Sequence, residues 1–256
     1  MTRYRIEYCH QSKDPIQRYY YKSDNTVRSI SHVENANRFL LELHSMGTPK
    51  ICSIIFDFGG VLLDWNPHNL YRRFFHNPQE IDQFLSEINF PEWNLQLDKG
   101  RPFSQGVAEL SEKFPQYSHL IRAYSEYWEE SLVGPINGSI AILQRLKKAG
   151  YFIYGLSNWS AETFPIAYKK YDFFKLFDGI VISGGVKAAK PDPAIFEIML
   201  NMNNLSAMEC LLIDDSALNT AAAQKLGFFV IHFKSPPQLE MELQELKIIR
   251  PSTYGA

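Results

Sequence analysis

The chain has 256 residues, 45% hydrophobic and 21% charged, which is enough to bury a full core as one domain with an insertion or as two modest domains. A formal net charge of -2 argues against a general nucleic-acid or anionic-membrane binder, so any phosphate recognition has to be local. Cys9, Cys52 and Cys210 fit neither a zinc site nor a disulfide framework. No apolar run reaches the roughly 20 residues of a bilayer span, and Met1 to Arg5 lacks the apolar segment of a secretory signal, so the expected location is cytoplasmic.

Residues 1 to about 50 read as an N-terminal appendage. Arg3 to Tyr8 alternates like a half-buried strand, Gln11 to Pro15 supplies turn residues and Gln17 to Lys22 gives a second strand, predicting a hairpin. Ser31 and Glu34 then fit a capping box before a helix that Gly47 and Pro49 stop. Packing against the main domain, or a mobile tail, is the simpler role for this segment. A homodimer or partner surface is the other.

The next stretch, Ile54 to Leu62, is an apolar run broken by Asp57 and the pair Gly59-Gly60. A buried strand that ends in an acid and two glycines delivers a carboxylate to a tight turn, where other groups can approach the main chain closely. From 68 to 134 the pattern turns helical. Leu70, Phe74 and Phe75 predict one helix; Ile81, Phe84, Leu85 and Ile88 a second; Val107, Leu110 and Phe114 a third; Leu120, Ile121, Tyr124 and Trp128 a fourth. Placed directly after the Asp57 loop, this block is situated to act as a lid, and Arg72, Arg73, Trp93, Asp98 and Arg101 are its candidate substrate readers, each also explicable as surface or local packing.

From Gly138 helices and strands alternate. A helix through Leu146 runs to Lys147-Lys148, and Tyr151 to Leu156 is a strand ending in Ser157-Asn158. A helix from Thr163 to Tyr171 leads to strand Gly179 to Ser183; Lys190-Pro191-Asp192-Pro193 precedes a helix over 194–202. Leu211 to Ile213 ends in Asp214-Asp215-Ser216, a helix spans about 219–226, and Phe228 to His232 is the last strand before a C-terminal helix or tail over 236–256. Strands separated by single helices imply a parallel α/β sheet with right-handed crossovers.

In such a sheet ligands bind beyond the carboxyl ends of the strands, where every polar cluster named above is expected. Asp57, Asp214 and Asp215 brought together would repel one another unless a divalent cation neutralised them, and hard oxygen ligands favour magnesium over zinc. With Lys190, Ser157 and Asn158 they form equipment for phosphoryl transfer: a carboxylate nucleophile, a metal, a cation and hydrogen-bond donors.

The four segments Asp57-Phe58-Gly59-Gly60-Val61, Leu156-Ser157-Asn158-Trp159, Lys190-Pro191-Asp192-Pro193 and Ile213-Asp214-Asp215-Ser216 resemble the motifs of the haloacid dehalogenase superfamily, over roughly residues 51–235. The resemblance implies a Rossmann-like core at 51–67 and 135–235 with an inserted helical cap at 68–134, as in subfamily IA. It implies that Asp57 is the nucleophile and a magnesium ligand, that the Gly59 carbonyl and Asp214 and Asp215 complete the Mg2+ site, and that Gly60, Ser157, Asn158 and Lys190 meet the phosphoryl group. Asn219 would brace the last loop. Most phosphatases of this family carry a second Asp two residues after the nucleophile as general acid; here Gly59 stands there, as in some sugar-phosphate phosphatases similar to α-glucose-1-phosphatase. The proton donor is therefore left without a name.

The expected function is a magnesium-dependent phosphatase acting on a small phosphorylated metabolite, such as a sugar phosphate, through an aspartyl-phosphate intermediate. A 2-haloacid dehalogenase using the same Asp is the second reading. The Asp214-Asp215 pair counts against it, because two further carboxylates beside an anionic substrate without a metal cost binding energy. The third is a binding or regulatory protein on the same fold.

Overall fold

The computed structural model describes residues 51–250, and the hairpin, helix and partner surface expected before residue 50 lie outside the described residues. Five strands, β1 (Ser53–Phe56), β4 (Phe152–Ser157), β5 (Gly179–Ile182), β6 (Cys210–Asp214) and β7 (Phe229–His232), form a parallel sheet of order β5-β4-β1-β6-β7. The central position of β1 follows from its composition: Ser53-Ile54-Ile55-Phe56 is buried at every residue, as a strand covered on both faces must be. Residues of β1 build apolar layers on both faces, Ile54 and Phe56 with one set of side chains and Ile55 with Leu212, Val181 and Phe196 on the other.

Register then places the chemistry. Phe56 is level with Gly155 of β4 on one side and Ile213 of β6 on the other, so the next residues, Asp57, Leu156 and Asp214, emerge together at the carboxyl edge. Phe58 locks the turn that follows. Its ring lies so close to Gly155 that a Cβ there would overlap it, and it meets Phe174 and Phe177 edge-on with centroids 5.0 and 5.4 Å away. Its carbonyl accepts hydrogen bonds from the backbone N–H groups of Val61, Leu62 and Leu63. Burying one such ring contributes about 1.5–3 kcal/mol, so the loop that carries Asp57 is tied to the core through its neighbour.

Between β1 and β4 the chain makes an excursion. It leaves through β2 (Leu63–Trp65) and returns through β3 (Leu132–Pro135), and the two strands pair antiparallel, so exit and re-entry lie side by side. The excursion contains helices α1 (Pro67–Tyr71), α2 (Pro78–Glu87), α3 (Phe90–Asp98), α4 (Phe103–Lys113) and α5 (Ser118–Glu126). Three details differ from the sequence expectation. The first helix stops at Tyr71, leaving Phe74 exposed and Phe75 beyond it. Helix α3 was not foreseen, although Phe90, Trp93 and Leu97 are buried at helical spacing and Pro91 is tolerated in a first turn. The strand β3 stands at the end of the block that reads as helical in the sequence, and Gly134-Pro135 is compatible with the edge of a two-stranded ribbon.

The helices flanking the sheet begin where the sequence provides a cap. Asp192 accepts a hydrogen bond from the Ala194 N–H at the start of α9 (Pro193–Asn203), counting α6 (Asn137–Lys148), α7 (Phe164–Lys170) and the short α8 (Ser183–Val186) before it. Ser216 caps α10 (Ala217–Lys225), and Ser235 with Gln238 forms a reciprocal capping box at α11 (Pro236–Glu245). Among the described residues no helix is long and apolar enough to cross a membrane.

Candidate active site

Asp57 begins the loop after β1, with its backbone N–H donating to the Ile213 carbonyl at 2.9 Å. Its Oδ1 accepts from the Phe58 N–H at 2.7 Å and from the Ser157 hydroxyl at 2.6 Å, and stands 3.1 Å from the Lys190 ammonium. Burial pushes the Asp57 carboxyl up to about 6, with Lys190 pulling it down and Asp214 pushing it further up. Lys190 is 2% exposed and donates to Asp214 Oδ2 at 2.6 Å and to the Leu156 carbonyl at 2.7 Å. Burial works against its charge, but Asp57 and Asp214 more than offset this and hold the ammonium above its ordinary range.

The Asp214 carboxylate is fully buried at the end of β6. It accepts from the Ser216 N–H at 2.9 Å, and the Asn219 amide reaches both of its oxygens, at 3.0 and 3.2 Å. Asn219 thus braces this loop from the first turns of α10. Asp215 is exposed, and partial burial of its carboxyl with the charge of Asp214 raises its affinity for a proton. One oxygen each from Asp57, Asp214 and Asp215 can be chosen within 4.8 Å of the others. Three carboxylates against one lysine leave the cluster short of positive charge, and an all-oxygen donor set suits a hard divalent cation.

The two glycines serve different ends. Gly60 has φ +73°, and a Cβ there would overlap Asp215 Oδ2, so the Asp215 carboxylate fills the space that a side chain would need. Replacing Gly60 with Ala is expected to displace Asp215 and raise the magnesium concentration needed for half-maximal binding by about tenfold or more, on the scale where tenfold is ~1.4 kcal/mol. Magnesium titration by calorimetry checks this, and an unchanged affinity would remove Asp215 from the ligand set. Around the ideal Cβ of Gly59, in contrast, nothing lies within 4 Å.

Asn158 departs from the expectation that its amide faces a phosphoryl group. Its Nδ2 donates to the Lys190 carbonyl at 2.9 Å and its Oδ1 accepts from the Lys190 N–H at 2.8 Å, so both ends of the side chain hold the Lys190 backbone. Asn158 is still part of the cavity wall, which is where Asp57, Gly59, Gly60, Ser157 and Asp215 also come together. That cavity, about 380 Å³, is bordered on its other side by Asn94, Asp98 and Tyr124 from the inserted helices.

Of the five candidate readers in the helical block, only Asp98 lines this cavity. Arg73 pairs with Glu130 and lies over the Tyr127 ring, Arg101 pairs with Glu109, Trp93 donates its indole N–H to the Gly106 carbonyl, and Arg72 is exposed. Burial, partly opposed by a hydrogen bond from the Ser160 N–H and reinforced by Asp57, raises the Asp98 carboxyl to about 7. Sequence reading did not find Trp65, Asn94, Tyr124, Trp128 and Trp159 as cavity residues. Tyr124 and Trp128 carry a helical core period, and nothing in that period distinguishes a wall of a cavity from a wall of a core.

The sequence model of the haloacid dehalogenase-like hydrolases matches residues 54–233. Over 198 residues the chain is 27% identical to sesquiterpene phosphatase astK of Aspergillus oryzae, covering 75% of this chain and 94% of that protein. It is 24% identical over 151 residues to (S)-2-haloacid dehalogenase 4A of Burkholderia cepacia, covering 58% of this chain and 62% of that enzyme. Among solved structures, the HAD family enzyme bt-2542 of Bacteroides thetaiotaomicron, in complex with magnesium and inorganic phosphate, superimposes with a TM-score of 0.59 at 24% identity, covering 72% of this chain and 95% of that one. Since the sequence model spans most of the chain, from the strand before Asp57 to the residue after the last strand, this protein belongs to the haloacid dehalogenase-like hydrolases.

Proposed function

We propose that this hydrolase is a magnesium-dependent phosphatase of a small phosphorylated metabolite, working through an aspartyl-phosphate intermediate. The observation that carries this reading is the convergence of Asp57, Asp214 and Asp215 around one deficit of positive charge, beside a buried lysine. Asp57, held by Ser157 and the Phe58 N–H, attacks phosphorus. Lys190 offsets the negative charge shared by Asp57 and the phosphoryl oxygens, and the main chain at Gly59 and Gly60 borders the space that this group enters. Asp57, the Gly59 carbonyl, Asp214 and Asp215 would hold magnesium, which when bound neutralises phosphoryl oxygens and lets the carboxylates ionise together. Asn158 acts through Lys190, whose main chain it fixes.

The insert over 68–134 serves as the lid in this reading. Its entry and exit strands pair with each other, and α3 and α5 complete the cavity wall. The leaving group then meets a wall in which Trp65, Tyr124, Trp128 and Trp159 stand beside Asn94 and Asp98. A neighbouring groove of about 880 Å³ extends past Leu85, Phe90 and Leu95 as well as His68, Ser86 and Asn89. The aromatic side chains in this lining have room for an apolar or isoprenoid phosphate as well as for the sugar phosphate that the motif resemblance brings forward, and the Aspergillus relative supports the former.

The dehalogenase reading has a relative of its own, but two additional carboxylates without a metal would repel a haloacid anion. A panel of a sesquiterpenyl monophosphate, glucose 1-phosphate, an aryl phosphate and 2-chloropropionate, each with magnesium or with a chelator, tests these readings. Phosphate release is expected to require magnesium and to fall at least about 10²-fold on chelation, on the scale where 1.4 kcal/mol of barrier is tenfold. Metal-independent halide release would replace this reading with the dehalogenase, and no turnover of any ester would leave a binding protein.

A further inference from the structure

Breaking the bond from phosphorus to an alkyl oxygen leaves an alkoxide unless a proton arrives with the electron pair, and no group near Asp57 in the sequence provides one. Four titratable side chains line the cavity: Asp57, Asp98, Tyr124 and Asp215. Asp57 is the nucleophile and Asp215 belongs to the carboxylate cluster. The Tyr124 hydroxyl donates to Asn94 Oδ1 at 2.7 Å, and burial pushes its proton affinity up well above the ordinary tyrosine range. This leaves Asp98, the last residue of α3, on the lid side of the space and outside the carboxylate cluster.

Asp98 is held in place from four directions. Asn94 Nδ2 donates to Asp98 Oδ2 at 2.8 Å, so the sequence of hydrogen bonds Tyr124 to Asn94 to Asp98 fixes the plane of the carboxyl. The Ser160 N–H, from the loop after β4, reaches the same carboxyl. The Ser183 hydroxyl, which itself accepts from the Trp159 N–H, donates to the Asp98 carbonyl and ties the end of α3 to the end of β5. Gly100 comes so close to the Gly184 carbonyl that a Cβ would have to push it away, which anchors the following turn on the core. None of these partners is one of the residues assigned to the metal.

We propose that Asp98, contributed by the inserted helices, is the catalytic acid and base of this phosphatase, standing in for the side chain that Gly59 lacks. The proposal rests on the phosphatase reading above. In the first step an Asp57 oxygen forms a bond to phosphorus while the bond to the leaving oxygen breaks. The electron pair stays on that oxygen, which takes the proton of Asp98; the alcohol departs and Asp98 is left ionised. In the second step water attacks the phosphorus of aspartyl-phosphate and gives one proton to the Asp98 carboxylate. The bond to Asp57 breaks, inorganic phosphate leaves, and both carboxyls return to their starting states. The raised proton affinity of Asp98 is consistent with the first step at neutral pH. The empty space at Gly59 is then explained as well: the proton comes from the opposite wall. Because the acid sits on the lid, chemistry of this kind is available only while the lid residues meet the core.

The test compares full-length wild type with Asp98→Asn on a series of alkyl and aryl phosphates of graded leaving-group pKa, with magnesium present. A positioned acid typically contributes about 10² to 10⁴ in rate, so Asp98→Asn is expected to lose about that factor on alkyl phosphates and about tenfold or less on a nitrophenyl ester. Inorganic phosphate binding in the presence of magnesium, measured by calorimetry, is expected to stay within about threefold, which separates proton transfer from loss of the site. A uniform loss over the whole series, or phosphate binding that disappears, would make Asp98 a structural residue and overturn the proposal. Wild type supplies a reading that does not depend on the variant folding: its rate should vary shallowly with leaving-group pKa. A steep wild-type dependence overturns the acid role while leaving the phosphatase intact, whereas wild type that hydrolyses no ester removes both.

Discussion

Asp57→Asn is expected to lower turnover by about 10⁴-fold or more while the protein stays folded, because one atom change removes the nucleophile and leaves its surroundings in place. The substituted amide oxygen can still accept from the Phe58 N–H and the Ser157 hydroxyl, which now bind Oδ1. The loop keeps its main anchor, the Phe58 ring under Gly155, and the three backbone bonds to the Phe58 carbonyl. One of three mutually repelling carboxylates also disappears, and burial had already pushed that one up to about 6. Thermal stability without metal should therefore hold or rise. Turnover of an aryl phosphate beside a thermal melt checks both parts. Activity within about tenfold of wild type, roughly 1.4 kcal/mol of barrier, would place the nucleophile elsewhere.

Lys190→Met is expected to have the largest effect on stability, about 3–5 kcal/mol, together with loss of activity. The lysine side chain is 1% exposed, its ion-pair partners Asp214 and Asp57 are 0% and 11% exposed, and the pairs are 2.6 and 3.1 Å long. Removing the cation leaves two carboxylates in a site with little water to screen them, and the Leu156 carbonyl loses its donor as well. Methionine keeps much of the volume, so the cost reports charge and hydrogen bonding more than a cavity. Adding Asp214→Asn to Lys190→Met should recover part of the loss, since the same buried charge then vanishes from both sides of the pair. Urea unfolding of the single and double variants measures this. A loss below about 1 kcal/mol for Lys190→Met would mean that water or a counter-ion already compensates these carboxylates.

Much of this protein was determined by sequence-local physics. Strands β1, β4 and β6 are short apolar runs that no amphipathic helix pattern explains, and Asp57, Ser157 and Asp214 stand at their carboxyl ends. A parallel sheet with right-handed crossovers brings those ends to one edge, so the grouping of Asp57, Lys190, Asp214 and Asp215 is legible in the sequence. Tertiary structure decided what depends on contacts between distant segments. Asn158 turns its amide to the Lys190 main chain, 32 positions further along the chain. Strand β3 exists only because β2 offers it a partner, since Gly134 and Pro135 have no strand preference of their own. Asp98 reads in the sequence as one of five charged or aromatic candidates in the helical block, and only where α3 meets the ends of β4 and β5 do desolvation and the nearby Asp57 set it apart. Local pattern reports which residues a strand or helix must bury; the field and the neighbours that a side chain meets come from the packing of elements far apart in the chain, and that packing put Asp98 on the wall of the cavity that holds Asp57.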